Sequence, residues 1–183
     1  TEIYTLSLHD ALPILTGLDV AMSIGPGLAK SAIAVNIDGE QRDLSDPINA
    51  DCALSIITLD SKEGLEIMRH TTAAQVLALA IKTIYPDSKL AIGPTIENGF
   101  YYDFHTEDSI STEDLPRIEE EMRKIIKEKS EIGKSFHDKK SAIDQFKKLS
   151  EDYKVKIIEE SDQAEDFQIY KNENNEFIDL CRG

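Results

Sequence analysis

The chain contains few cysteines, few basic residues and no long apolar run, and each shortage excludes a class of protein. Cys52 and Cys181 lie far apart without a CxxC pair, which argues against a disulfide scaffold and favours a reduced, cytoplasmic protein. No apolar run approaches the roughly 20 residues of a membrane-spanning helix. The 20 Lys and Arg residues face 35 Asp and Glu, a formal net charge of -15, so the chain as a whole does not bind nucleic acid by charge alone.

Length and composition predict a soluble protein with either one ordinary domain or a small domain followed by a medium one. With 183 residues, 40% of them hydrophobic and 7% aromatic, the chain can build a small domain and a medium one, each with its own core. The first 14 residues, TEIYTLSLHDALPI, resemble a translated sequencing-adapter peptide and lack the basic start and cleavage site of a signal peptide. We therefore exclude residues 1–14 from the fold prediction as a non-native segment.

Residues 15–59 have the pattern of a small α+β domain of the β-grasp type. Helical spacing from Leu18 to Ile24 ends at Gly25-Pro26-Gly27, which suits a helix cap and a turn. Ala32 to Ile37 predicts a strand, Asp38-Gly39 a hairpin turn, and Ala53 to Leu59 a buried closing strand. The first strand of such a fold would fall within the adapter-like peptide, so we expect it to be missing.

Residues 60–68 are predicted to be a linker, and residues 69–183 a second α+β domain. Its first element is a helix from Glu66 to about Tyr85, ended by Pro86. Further helices are expected near Leu115 to Ile126, N-capped by Ser111 or Thr112, and at Lys140 to Leu149. Val155 to Ile158 predicts a strand, and Asn174-Asn175 the turn of a hairpin that ends near Cys181.

Four residues of this second domain are candidates for chemistry: His70, Lys154, Asp179 and Cys181. An imidazole can take a proton from water near neutral pH, a lysine can stabilise a developing oxyanion, and a carboxylate can orient either one. A cysteine can ligate a metal or line a pocket. Taken one at a time, each of these residue types is more often structural, so spacing alone does not assign the chemistry.

A basic island interrupts the acidic chain between Arg123 and Lys148, where nine basic residues stand against four acidic ones. A solvated pair of helix faces explains such a run unless another feature points to a polyanion.

Six phrases of the sequence carry a family resemblance: MSIGPGLAKSAIAVNIDGE, LSIIT, EGLEIMRH, AIGPTIENGFYYDF, YKVKI and FIDLCRG. In this order and approximate spacing they resemble the N-terminal half of the bacterial threonyl-tRNA synthetase family, over about Leu15 to Gly183. The resemblance implies that residues 15–59 form a TGS domain. It also implies that residues 69–183 form an editing domain, which hydrolyses serine wrongly attached to threonine tRNA.

Editing has a physical reason, because serine differs from threonine by one methyl group and such a contact discriminates by only about 1–3 kcal/mol. The resemblance implies that His70 is the general base or positions the water, and that Lys154 stabilises charge or positions substrate. It implies that Asp179 is an orienting group and that Cys181 lines the pocket.

The family frames this site with two phrases, His-x-x-x-His and Cys-x-x-x-His, and this sequence completes neither. Counted forward from His70, the position of the second histidine is Ala74; counted back from Pro86, it is Gln75. The two counts differ because the chain carries one extra residue between His70 and Pro86. The last histidine would lie beyond Gly183. One extra residue turns one end of an α-helix by about 100° against the other. We therefore expect either that His70 points away from the pocket or that a π-bulge absorbs the insertion, and that editing is impaired.

The resemblance also implies what the chain lacks. The aminoacylation domain, with its ATP, Mg and zinc sites, and the anticodon-binding domain have no counterpart here, so we expect no cofactor and no tRNA charging. The expected partner is threonine tRNA, including threonine tRNA mischarged with serine. No interaction with a membrane is expected. The parent enzyme is expected to be a homodimer and this fragment a monomer.

Two other functions remain open. TGS domains also occur in GTPases and stringent-response enzymes, so the chain could be a non-catalytic tRNA-binding or regulatory fragment, which the basic island fits equally well. A metal-dependent editing domain like that of alanyl-tRNA synthetases would use His70 and Cys181 as ligands, but two ligands are too few for a closed zinc site.

Overall fold

The computed structural model describes residues 3–6, 15–107 and 109–181. They form two compact units that meet in the sequence between Met68 and Arg69. Both units mix helices with antiparallel strands, which confirms the α+β prediction. No helix in these described ranges combines the length and the apolar character needed to cross a membrane.

The first unit is an antiparallel sheet covered by two short helices. Its strands are β1 (Ile3–Leu6), β2 (Leu15–Thr16), β3 (Ala32–Ile37), β4 (Glu40–Asp43), β5 (Pro47–Ile48) and β6 (Cys52–Thr58), and its helices are α1 (Gly17–Ile24) and α2 (Pro26–Ser31). The sheet order is β1-β6-β3-β4, and β2 pairs with β5. Val20 and Ala21 of α1 pack onto Val35, Leu54 and Ile56 of the sheet. The predicted hairpin at Asp38-Gly39 is confirmed, with both residues at positive φ.

The prediction that the adapter-like peptide leaves the first strand missing is wrong. β1 pairs antiparallel with β6, with Ile3 opposite Ser55 and Leu6 opposite Cys52. The reason is that an open edge of β6 would present a row of unpaired N–H and C=O groups, which any extended segment can join. Residues 1–2 and 7–14 lie outside the described residues.

The second unit is built from a long interrupted helix, three further helices and a three-stranded sheet. The interrupted helix consists of α3 (Lys62–Thr71), which begins before the unit boundary, a π-helical segment (Thr72–Leu77) and α4 (Ala78–Ile84). The other helices are α5 (Leu115–Glu128), α6 (Lys139–Lys148) and α7 (Asp152–Glu160). The strands are β7 (Lys89–Leu90), β8 (Thr95–Ile96), β9 (Gly99–Phe100), β10 (Phe104–His105), β11 (Ile132–His137), β12 (Phe167–Asn172) and β13 (Phe177–Leu180). The linker expected at residues 60–68 is therefore helical from Lys62 onward.

Three apolar clusters stabilise the second unit, and the smallest contains Leu79, Ala80 and Ile125. Phe146 of α6 and Ile158 of α7 pack against Ile169 of the antiparallel sheet β11-β12-β13. Ile81 of α4 packs with Leu90, Tyr102 and Ile118. A buried carboxylate joins the two larger clusters, since Glu151 accepts from Lys82 Nζ at 2.7 Å and from the Leu90 N–H at 2.9 Å.

Two predictions for this unit are wrong. Val155 to Ile158, predicted as a strand, lie in α7, because Lys154, Val155 and Ile158 share the inward face of a helix and packing overrides the β propensity of Val and Ile. The N-cap of α5 is Asp114 rather than Ser111 or Thr112. Ser111 instead donates its hydroxyl and backbone N–H to the Asp114 carboxylate.

Candidate active site

His70 and Cys181, which are distant in sequence, are in direct contact. His70 lies in the last turn of α3, half-buried, and its Nε2 is 2.7 Å from Sγ of Cys181, which follows β13. Burial lowers the pKa of His70 below its ordinary value of 6.5, while the charge of Asp179 raises it and that of Lys154 lowers it. The imidazole is therefore neutral near pH 7 and can accept a proton.

A buried ion pair lies beside this contact. Lys154 Nζ of α7 is 2.6 Å from Asp179 Oδ1 of β13, and both side chains are almost fully buried. The Leu180 N–H donates to the same oxygen at 2.8 Å. Burial raises the pKa of the Asp179 carboxyl, and the lysine charge together with the hydrogen bonds opposes that rise. The pair is a fixed, desolvated charge arrangement, because neither group can move without leaving the other unpaired.

Tyr102 completes the arrangement, and residue-by-residue sequence reasoning missed it. Its hydroxyl donates to Asp179 Oδ2 at 2.9 Å and accepts from Lys154 Nζ at 3.2 Å. The ammonium also lies 5.7 Å from the centroid of the tyrosine ring, within the range of a cation–π contact. Burial is the main cause that raises the pKa of Tyr102 far above its ordinary value, so the phenol stays a neutral donor.

Strand alternation explains why the His70–Cys181 contact lies next to the Lys154–Asp179 pair. Asp179 and Cys181 are two residues apart at the end of a β-strand, and such residues project from the same face. Asp179 is registered opposite Tyr170, and the Cys181 N–H continues the ladder to Gln168 O at 3.2 Å. All four residues expected from the sequence therefore lie in one region, although Lys154 comes from a helix and not from the end of a loop before a strand.

The helix after His70 contains the π-helical segment that one of the two sequence hypotheses requires. The Ala78 N–H bonds to Ala73 O, five residues back, as a π-turn demands. His70 does not turn away but faces Cys181. Ala74 and Gln75, the two candidate positions for a second histidine, are 4% and 3% exposed. Within the described part of the chain, neither Nε2 nor Oε1 of Gln75 has a hydrogen-bond partner.

Local ion pairs neutralise part of the basic island. Arg123 Nη2 is 2.5 Å from Glu119 Oε1, and Lys147 Nζ is 3.6 Å from Glu159 Oε1. These pairs are exposed and worth little in stability, but each brings a negative charge to the same surface. The island therefore presents less net positive charge than its sequence suggests.

A metal-dependent site would need a cluster of metal-ligating side chains. Across residues 3–6, 15–107 and 109–181, no group of three or more His, Cys, Asp or Glu side chains is arranged to hold a metal ion.

Comparison with known proteins finds a TGS domain in the first unit and relatives that match most of the chain. A family model described as TGS domain matches residues 15–58. The chain is 46% identical over 169 residues to the threonine--tRNA ligase of Acetivibrio thermocellus, which covers 92% of this chain and 26% of that protein. It is 47% identical over 164 residues to that of Geobacillus sp. strain WCH70, covering 90% of this chain and 25% of that protein.

A third relative is the threonine--tRNA ligase of Acidithiobacillus ferrooxidans, 42% identical over 169 residues. The chain spans about a quarter of the length of the curated relatives it matches. These matches confirm the resemblance carried by the six sequence phrases.

Proposed function

We propose, from the premise that this chain contains a TGS domain and is homologous to the N-terminal region of bacterial threonine--tRNA ligases, that its second unit hydrolyses seryl esters of threonine tRNA. The observation that carries the proposal is the contact between the half-buried His70 and Cys181 beside the buried Lys154–Asp179 pair.

The proposed reaction begins with water. The water oxygen attacks the carbonyl carbon of the ester while His70 accepts a proton from the water. The electrons of the carbonyl double bond move to the carbonyl oxygen. The tetrahedral intermediate then collapses, the bond to the ribose oxygen breaks, and the proton passes to that oxygen. The products are serine and free tRNA, and the step draws on no metal or nucleotide. The lowered pKa of His70 supports this role, because a protonated imidazole cannot act as a base.

Lys154 is proposed to act through its fixed charge. Its ammonium is held by Asp179 at 2.6 Å and by the Tyr102 hydroxyl at 3.2 Å, so it needs no reorganisation when negative charge develops on a nearby ester. Asp179 is proposed to orient Lys154 and Tyr102, with which its carboxylate makes hydrogen bonds. Cys181 is proposed to line the site and to hold the His70 ring through its sulfur.

The test is release of serine from seryl-tRNA(Thr) by the purified chain. We expect His70→Ala to lower the rate constant by about 100-fold or more, the ordinary contribution of a general base. His105→Ala is the matched control, because His105 is an exposed histidine of the same unit and lies outside the proposed machinery. Release that is equally fast in the wild-type chain and His70→Ala would refute the catalytic role.

The same experiment separates catalysis from binding alone. Salt-dependent binding of threonine tRNA without serine release would support the alternative of a non-catalytic tRNA-binding fragment. Hydrolysis of seryl-tRNA with slower hydrolysis of threonyl-tRNA would support the proposed editing substrate.

A further inference from the structure

Gly93 lies directly under the ring of Tyr102. A Cβ atom at Gly93 would be 2.3 Å from Cδ2 and 2.7 Å from Cε2 of that ring, closer than real Cβ contacts come. Among the described glycines, only Gly39 has φ in the left-handed region. Gly93 is therefore required for the space it leaves and not for an unusual backbone conformation.

Backbone hydrogen bonds next to this contact join the two segments. The Ala91 N–H donates to Asp103 O at 2.9 Å, and the Asp103 N–H donates to Ile92 O at 2.7 Å. These bonds hold the segment of Gly93 against the segment of Tyr102. The two segments could separate to make room for a side chain at position 93 only if these hydrogen bonds broke.

The ring is also confined at its other end. Tyr102 is 8% exposed and packs with Ala73, Leu90 and Ile118. Its hydroxyl is held by Asp179 and Lys154. A ring displaced from Gly93 must therefore carry its hydroxyl away from the carboxylate, the ammonium or both.

We propose that Gly93 is a positioning residue that acts through Tyr102. By leaving room for the ring, it sets the place of the phenol hydroxyl and thereby the geometry of the Lys154–Asp179 pair. The inference rests on the proposed hydrolytic function, but its structural part concerns only the contact between residues 93 and 102.

The first test compares Gly93→Ala with Gly99→Ala, since an added Cβ at Gly99 meets no heavy atom within 4 Å. We expect Gly93→Ala to lower kcat for seryl-tRNA hydrolysis about 10- to 100-fold with little change in KM, as small misplacements of catalytic groups do. Gly99→Ala should match the wild-type chain. In a Tyr102→Phe background, which lacks the hydroxyl, Gly93→Ala should change kcat by less than about twofold. Equal kcat in Gly93→Ala and the wild-type chain, or a full additional loss in the double variant, would overturn the inference.

A second measurement does not depend on activity. Gly93→Ala should lower the urea midpoint of unfolding in the wild-type background and not in a Tyr102→Leu background, where the smaller side chain leaves room for the methyl group. An equal shift in both backgrounds would overturn the contact. If the wild-type chain releases no serine, the proposed function fails, and this coupling still decides whether Gly93 positions Tyr102.

Discussion

Replacing Gln75 with Leu should stabilise the second unit. Gln75 is 3% exposed in the π-helical segment, and within the described residues neither atom of its amide has a hydrogen-bond partner. A buried polar group without a partner costs about 1–3 kcal/mol, and a leucine of similar size replaces the amide with apolar atoms. The amide has two such groups, but a leucine does not copy the shape of glutamine and its poorer fit offsets part of the gain. We therefore take the cost of one group as the expected net gain. Gln75→Leu should therefore raise the free energy of unfolding by about 1–3 kcal/mol.

Urea unfolding followed by circular dichroism measures this gain. The midpoint should rise while the slope with urea stays the same, because the substitution changes stability and not the surface exposed on unfolding. Gln145→Leu is the matched control: Gln145 is half-buried on α6 and its Nε2 lies 3.1 Å from His137 Nδ1. That variant loses a contact and should be destabilised by about 0.5–1.5 kcal/mol. A Gln75→Leu protein less stable than the wild-type chain would refute the reasoning, since it would mean that the amide is satisfied.

Three further predictions concern the site. Lys154→Met should cost about 3–5 kcal/mol at pH 7, because it leaves the buried Asp179 carboxylate without a positive partner. Urea unfolding should show a smaller loss at lower pH, where that carboxyl protonates. The acidic limb of kcat/KM for seryl-tRNA should lie below pH 6.5, since burial lowers the pKa of His70, and Asp179→Asn should move it lower still by removing the charge that raises this pKa. An unmoved limb would contradict that assignment. Gln75→His should fold. Ala74→His should lower the free energy of unfolding by about 1–3 kcal/mol, because a histidine overpacks a position that is only 4% exposed. Thermal unfolding of the two variants measures the difference.

Local patterns in the sequence were sufficient to predict most of the first unit. The hairpin at Asp38-Gly39 and the buried run ending at Thr58 depend on turn chemistry and hydrophobic runs, which act over a few residues. The strand at Ile3–Leu6 could not be predicted in this way, because it forms by joining an edge supplied by residues some 50 positions later.

The second unit shows where such reasoning stops. Val155 and Ile158 carry β-branched side chains, yet they pack inward from a helix whose partners lie on the distant strand β12. Tyr102 had a usable signal: in an extended segment alternate residues share a face, and Phe100, Tyr102 and Phe104 all enter the same cluster while Tyr101 is 47% exposed. The partners of its hydroxyl come from residues 154 and 179, which no local pattern connects to it.

The π-helical segment gives the helix after His70 one wider turn. Before the wider turn at Thr72–Leu77, His70 of α3 contacts Cys181, and after it Ile81 of α4 packs into an apolar cluster. One residue inserted in a regular α-helix rotates the residues that follow it by about 100°. A π-turn can take up that residue locally, so the residues that follow keep their orientation. A helix that can widen in this manner can accept a change of length next to His70 without moving the contact with Cys181.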